Sequence, residues 1–288
     1  MNLYILGAGG MMGSMFLTYI LKMNRTEGFN VIPIYKEQFN VLIDDISDII
    51  PTLACAPPEV ALSQGTVNKG IVFNFIGCIP QKTYTNDEYV KINQEFPHVL
   101  AKFCKEHQYG MVHLSTNCVF DGKLDGYTED NIPSVSLVGD IYSETKYKGE
   151  PSYGLVIRSS IIGFGSGGLL SWFMSSSDVV NGYTNHIWNG LTTLELSKVI
   201  MDIINKDITL LYTRSLRHIF SRDTQSKYDL LVNIGKVFEK NIQIIPYKTT
   251  DKFYTLQSIH DPIYIPTTSI YEQLVELKMN KPRSSEYN

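Results

Sequence analysis

The chain has 288 residues, 43% apolar and 19% charged, enough to bury a full core as one large domain or two unequal lobes. A net charge of −4 and an isoelectric point near 5.9, with no basic run, argue against a nucleic-acid or anionic-membrane partner. No stretch reaches the roughly 18 unbroken apolar residues of a membrane span, and the apolar start, whose first basic residue is Lys22, lacks the cationic opening of a secretory signal.

Leu3–Leu6 reads as a short apolar strand running into Gly7, Gly9, Gly10 and Gly13, with a helix predicted over 11–23. This is the layout of a nucleotide-binding turn. Gly7 permits a tight strand-to-helix turn, Gly10 lets the backbone approach a pyrophosphate, and Gly13 lets helix and strand pack closely. Further strands are expected at Val31–Tyr35, Ile71–Ile76, Met111–Leu114 and Leu155–Arg158, with helices near 41–50, 86–107 and 138–150. Short, nearly all-apolar strands alternating with helices predict an α/β fold, a doubly wound parallel Rossmann sheet. The rhythm changes at Gly165-Ser166-Gly167-Gly168. Beyond it come a Ser/Trp/Phe/Met stretch at 171–177, a turn at 188–190, and helices near 192–205, 225–238 and 268–278. We expect a Rossmann domain over 1–165, a smaller C-terminal substrate lobe over 166–280 with crossing back allowed, and a disordered polar tail at 281–288. Cys55, Cys78, Cys104 and Cys118 form no C-x-x-C pair, so reduced thiols in the cytoplasm are expected. Six scattered histidines have no ligand spacing, and no metal is expected.

Two local features carry chemistry. Tyr142 and Lys146, four apart on a predicted helix, share one face, where an ammonium would lower the tyrosine pKa and could hold a cofactor ribose. A chance Tyr-Lys pair is the competing reading. The strand at 111–114 ends in Ser115, Thr116, Asn117 and Cys118, about 25 residues earlier; ligands bind outside such strand ends, although Thr116 could also be a simple cap.

In this order the motifs resemble the extended short-chain dehydrogenase/reductases, and among them the dTDP-4-dehydrorhamnose reductase family. The residues that carry the resemblance are Gly7–Gly13, the strand Ile71–Ile76 with Gly77, Asn93, Ser115–Gly122, Tyr142–Glu150, Arg158-Ser159-Ser160 and Ser226–Leu231. It implies a nucleotide cofactor held by Gly7, Gly10, Met11, Met12, Gly13, Tyr35, Lys36, Phe75, Ile76, Gly77, Asn93, Ser115, Tyr142, Lys146, Ser159 and Ser160. It implies catalysis by Thr116, Tyr142 and Lys146, with Asn117 orienting the substrate. Where the family has S-T-D-Y, this chain has Ser115-Thr116-Asn117-Cys118. A cysteine there resembles the bifunctional epimerase/reductases that make UDP-rhamnose or GDP-fucose, in which the thiol is an epimerisation base.

The protons flanking a C4 ketone are acidic through enolate formation, and a thiolate can take them if the site lowers its pKa; an inert buried cysteine is the alternative. The lysine that such enzymes offer after the R-S-S strand is unmatched, leaving His186 and Lys82 as candidates for the opposing acid. Lys36, rather than an acidic residue, follows the second strand, favouring NADPH over NADH, though it could equally be a solvated charge. Trp172, Phe173, Trp188 and Asn189 are candidate substrate contacts or core, and Lys227 and Tyr228 could simply cap and pack their helix. The expected activity is conversion of UDP-4-keto-6-deoxy-D-glucose to UDP-β-L-rhamnose with NADPH. The alternatives are a 4-dehydrorhamnose reductase alone, on a dTDP or UDP sugar, or a non-catalytic nucleotide-binding regulatory subunit. The expected partner is a nucleotide sugar, not nucleic acid or membrane, with homodimerisation open.

Overall fold

A computed structural model of the chain describes residues 1–22, 28–46, 49, 60–61 and 67–282. Cys55 and the tail beyond 282 lie outside these residues, as do 47, 48 and 50 of the helix expected near 41–50; residues 41–43 form a turn. Six parallel strands make the central sheet: β1 (Asn2–Leu6), β2 (Asn30–Ile34), β3 (Ile71–Asn74), β4 (Gly110–Thr116), β5 (Leu155–Ser159) and β6 (Ser215–His218), in the order β6-β5-β4-β3-β1-β2. Every residue of β1, β3 and β5 is buried, because helices cover both faces. The α/β, doubly wound arrangement expected from the apolar runs is the one observed. Strand β4 runs two residues further than predicted, so Ser115 and Thr116 belong to the strand itself.

Helix α1 (Met11–Lys22) follows the glycine turn. The helix predicted over 86–107 is interrupted. Asn86–Tyr89 (α2) passes through a π-helical turn at Val90–Glu95 into Phe96–Glu106 (α3). The wider turn carries Asn93 inward, where its amide accepts from the Cys78 N–H at 2.8 Å and donates to the Cys78 carbonyl at 3.1 Å. Helix α4 (Ile141–Lys148) starts at Asp140, whose carboxylate accepts the Ser143 N–H at 2.7 Å, and lies against that π turn. Contact is close enough that a Cβ on Gly149 would sit 1.8 Å from the Asn93 carbonyl oxygen.

Beyond residue 165 the chain leaves the sheet and returns to it. Helix α5 (Leu169–Ser175) occupies the Ser/Trp/Phe/Met stretch, and α6 (Thr193–Lys206) packs against α1. The edge strand β6 was not anticipated. Its Ser-Leu-Arg-His sequence has no apolar run, and His218 is buried through polar contacts instead. Outside the sheet, His186–Trp188 pairs with Gln225–Ser226 and Lys252–Tyr254, and Val180–Tyr183 pairs with Ile244–Tyr247. Helices α7 (Lys227–Phe238) and α8 (Ile270–Met279) pack on one another and complete the lobe. No described helix is long and apolar enough to cross a membrane.

Candidate active site

The glycine turn sits at the C-terminal end of β1. Gly7 has φ +76°, and the N–H groups of Gly7 and Ala8 both donate to the Ile34 carbonyl, tying the turn to β2. A Cβ on Gly13 would fall 2.2 Å from the Gly7 carbonyl oxygen, so only glycine allows α1 to start so close to the strand. The first-turn N–H groups of α1, at Met11 and Met12, have no acceptor within their own helix. The Met12 side chain is core. Gly165 and Gly168 rest on Met11, so the glycine-rich segment after β5 closes one side of the turn.

Around this turn stand the ends of β2 and β3. Tyr35 packs on the core and Lys36 is exposed in the turn after β2. Phe75 and Ile76 are half-buried and Gly77 is exposed. Asn93 spends its amide on Cys78 and acts as a brace for this loop. Ser115 is likewise committed: its hydroxyl donates to Glu150 at 2.7 Å. The Ser159 hydroxyl is buried without a hydrogen-bond partner. Ser160 faces the other way and accepts the Trp188 indole N–H at 2.7 Å.

Thr116, Tyr142 and Lys146 come together at the end of β4. The Thr116 hydroxyl accepts the Cys118 N–H at 3.1 Å and faces the Tyr142 phenol, whose pKa it lowers. Burial outweighs that influence, and with Cys118 and Asp140 it raises the phenol above its ordinary value. The lowered tyrosine pKa expected from the Tyr-Lys spacing is therefore corrected. The Lys146 ammonium donates to the Leu114 carbonyl at 2.6 Å and does not drive ionisation of Tyr142. Burial holds Lys146 down at about 8, against the charges of Glu150 and Cys78.

Next to this trio is a cavity of about 420 Å³ lined by Asn117, Cys118, Ser160, Trp172, Tyr183, His186, Trp188, Lys227 and Tyr254, among others. Its size and mixed lining suit a sugar-sized ligand. Asn117 donates to the Tyr254 carbonyl at 3.1 Å, and the Cys118 thiol lies 3.7 Å from the Asn117 amide oxygen. Burial pushes the Cys118 thiol up; Thr116 and the Lys227 ammonium pull it down. The lowered thiol pKa that a base would want is not what the surroundings impose.

Of the four predicted substrate contacts, Trp172 and Trp188 face the cavity. Trp172 is 48% exposed at its mouth. Phe173 is corrected to core: it is 0% exposed, on the inward side of α5. Asn189 is corrected to a structural brace, since its amide donates to the Leu256 carbonyl at 2.9 Å and accepts the Leu256 N–H at 3.0 Å. His186 is on the cavity wall, bonded to Thr249 and stacked 4.3 Å from Tyr183, whereas Lys82 is exposed outside it. Tyr183, Tyr254 and Lys227 were missed as site residues. Lys227 did leave a sequence signal: a cation at the first position of a helix opposes the helix dipole.

Comparisons with known proteins follow the same lines. The RmlD substrate binding domain model matches residues 1–162. The chain is similar to dTDP-4-dehydrorhamnose reductase from Bacillus anthracis in complex with NADP (TM-score 0.76, 17% identity, 96% of this chain and 98% of that one). It is similar to the Clostridium acetobutylicum dTDP-4-dehydrorhamnose reductase (TM-score 0.76, 18% identity, 97% and 99%). It also aligns with UDP-glucuronic acid 4-epimerase from Bacillus cereus in complex with NAD (TM-score 0.67, 14% identity, 100% of both chains). Identities this low establish the fold, which reductases and epimerases share. A search of curated protein sequences returns no significant match. Because the matching model spans more than half of the sequence, the chain belongs to the RmlD substrate binding domain family.

Proposed function

We propose that the chain reduces the 4-keto group of a nucleotide-linked 6-deoxyhexose with NADPH. We propose further that Cys118 first inverts C3 and C5, so that UDP-4-keto-6-deoxy-D-glucose becomes UDP-β-L-rhamnose. The observation that carries the reading is the gathering of the Thr116 hydroxyl, Tyr142 phenol and Lys146 ammonium at the end of β4, beside the cavity that holds Cys118. The glycine turn supports the cofactor: Gly7, at φ +76°, and Gly13, where a Cβ would strike the Gly7 carbonyl oxygen, bring the N-terminus of α1 tight against the end of β1, a placement suited to a pyrophosphate. Gly7, Gly10, Met11, Met12 and Gly13 would hold the pyrophosphate, Tyr35 and Lys36 the adenosine end, and Lys146 a ribose. NADP bound to the Bacillus anthracis reductase and the Lys36 cation at the end of β2 support NADPH.

When bound, NADPH supplies the hydride for C4. Tyr142 gives its proton to the oxygen on which charge develops. Its raised pKa keeps the hydroxyl protonated near neutrality, the form an acid needs. Thr116 donates a second hydrogen bond to the same oxygen; such donors typically contribute about 3 kcal/mol each. Lys146, one N–H fixed on Leu114, has two more donors to turn toward ribose. Asn117, anchored on Tyr254, orients the sugar, and Trp172 and Trp188 wall it from water.

The test is to mix purified protein with UDP-4-keto-6-deoxyglucose and NADPH, follow loss of the reduced cofactor, and identify the product by NMR. Tyr142→Phe should slow turnover by about 100-fold or more. No oxidation of NADPH with any 4-keto sugar would remove the reading. The raised Cys118 thiol favours a second reading, reduction alone of a sugar already inverted; unaltered C3 and C5 configuration in the product would select it.

A further inference from the structure

Lys227 is the first residue of α7, directly after the N-cap Ser226, whose hydroxyl accepts the Asp229 N–H at 3.0 Å. A cation here is opposed by the helix dipole, so the position does not select for lysine on helical grounds. The side chain turns into the cavity, with its ammonium 4.9 Å from the centroid of the Trp188 ring and 5.8 Å from that of Tyr254. No acidic side chain pairs with it among the described residues. Its electrostatic partner is Cys118: each group favours the charged form of the other. Burial brings Lys227 down to about 8, so its ammonium can release a proton near neutral pH. His186, the other nitrogen base on the wall, is tied to Thr249 and Tyr183, and burial lowers its pKa, so it is not a cation near neutral pH.

We propose that Lys227 is the proton partner of Cys118 in epimerisation, a role that rests on the reading of this cavity as a 4-keto-sugar site. The Cys118 thiolate takes a proton from the carbon beside the ketone. The C–H bond breaks, an S–H bond forms, and the electron pair enters the enolate. The Lys227 ammonium then gives a proton to the opposite face of that carbon. The resulting thiol and amine return to thiolate and ammonium by exchange with water, and nothing is oxidised or reduced.

The experiment incubates wild type, Lys227→Met and Lys227→Arg with UDP-4-keto-6-deoxyglucose in deuterated buffer, before reduced cofactor is added. NMR reads deuterium and configuration at C3 and C5, and melting temperatures verify folding. In Lys227→Met deuterium entry slows, because the charge that favours the thiolate is gone, but the deuterium that enters does so with retained configuration, and inversion falls about 100-fold or more. Lys227→Arg, which keeps the cation between the rings but cannot release its proton, should likewise exchange with retained configuration and lose inversion, and it serves where the methionine variant does not fold. Inversion within about threefold of wild type in Lys227→Met, restored inversion in Lys227→Arg, or exchange and inversion falling together in both would overturn the role. Absence of exchange in wild type would instead end the epimerase reading, and the Lys227 role with it.

Discussion

Glu150 holds together the polar layer beneath the candidate site, and its loss should be costly. Its carboxylate accepts the Ser115 hydroxyl at 2.7 Å and the Arg158 Nε and Nη2 at 2.8 and 2.7 Å. The side chains of Arg158 and Glu150 are only 3% and 12% exposed. Without the carboxylate, the guanidinium keeps the His218 imidazole at 3.4 Å and the Phe120 ring at 5.4 Å, neither of which carries a negative charge. That imidazole is oriented to accept: its Nδ1 faces the Tyr127 and Gln257 carbonyls, both at 3.0 Å, so Nδ1 carries the proton and Nε2 the lone pair. Removing one partner of a buried pair costs about 3–5 kcal/mol, against less than about 1 kcal/mol for an exposed one. Glu150→Gln, which keeps the volume, should therefore lose about 3 kcal/mol or more in urea denaturation at neutral pH with an unchanged m value. Adding Arg158→Met removes the stranded charge, so the double variant should be less destabilised than the sum of the single ones. A loss below about 1 kcal/mol for Glu150→Gln, or strict additivity in the cycle, would refute the account.

Gly149→Ala should lower the melting temperature by about 3–10 °C, because the new Cβ meets the pinned Asn93 carbonyl and overpacking costs about 1–3 kcal/mol; an unchanged thermal scan would show that the π turn yields freely. Asn189→Leu strands the buried N–H and carbonyl of Leu256 and should cost about 2–5 kcal/mol in urea, and a loss under about 1 kcal/mol would deny the bracing role. Stability should fall as pH rises above about 10. The unfolded chain releases thiol protons near 8.5 and phenol protons near 10, whereas the fold holds Cys78 and Tyr153 up at about 12 and raises Cys104, Tyr142 and Tyr212 as well. The native state then binds more protons, and each group weakens the fold by up to about 1.4 kcal/mol per pH unit. Lys146 and Lys227, lowered to about 8, act in the opposite sense only until the unfolded lysines deprotonate near 10.4. Urea midpoints at pH 8, 10 and 11 measure this, and a midpoint that rises above pH 10 contradicts it.

The fold was legible wherever burial on both sides demanded a run of apolar residues. Leu3–Leu6, Ile71–Phe73 and Leu155–Ile157 could be read directly. Ser215–His218 could not, because it is held by pairing to β5 and by the polar contacts of His218 rather than by an apolar run. The four-residue spacing of Tyr142 and Lys146 placed them on one helix, but no spacing reveals that the ammonium is spent on the Leu114 carbonyl or that burial governs the phenol. Trp172 and Phe173 are neighbours in sequence, yet successive helical residues point about 100° apart, so one meets the cavity and the other the core. Lys227 was visible within the Ser226–Leu231 motif and as an ill-placed charge, but capping and packing the helix explained it equally well until its approach to the Trp188 and Tyr254 rings was seen.

The late return of β6 to the sheet has a consequence for biosynthesis. A nascent chain that has emerged only as far as β5 presents the outer edge of Leu155–Ser159 unpaired, and α1 still lacks its covering helix. That edge is a template for another strand until residue 218 has left the ribosome tunnel. Fragments ending near residue 162 should aggregate, and chaperone dependence of the newborn polypeptide should end once β6 docks.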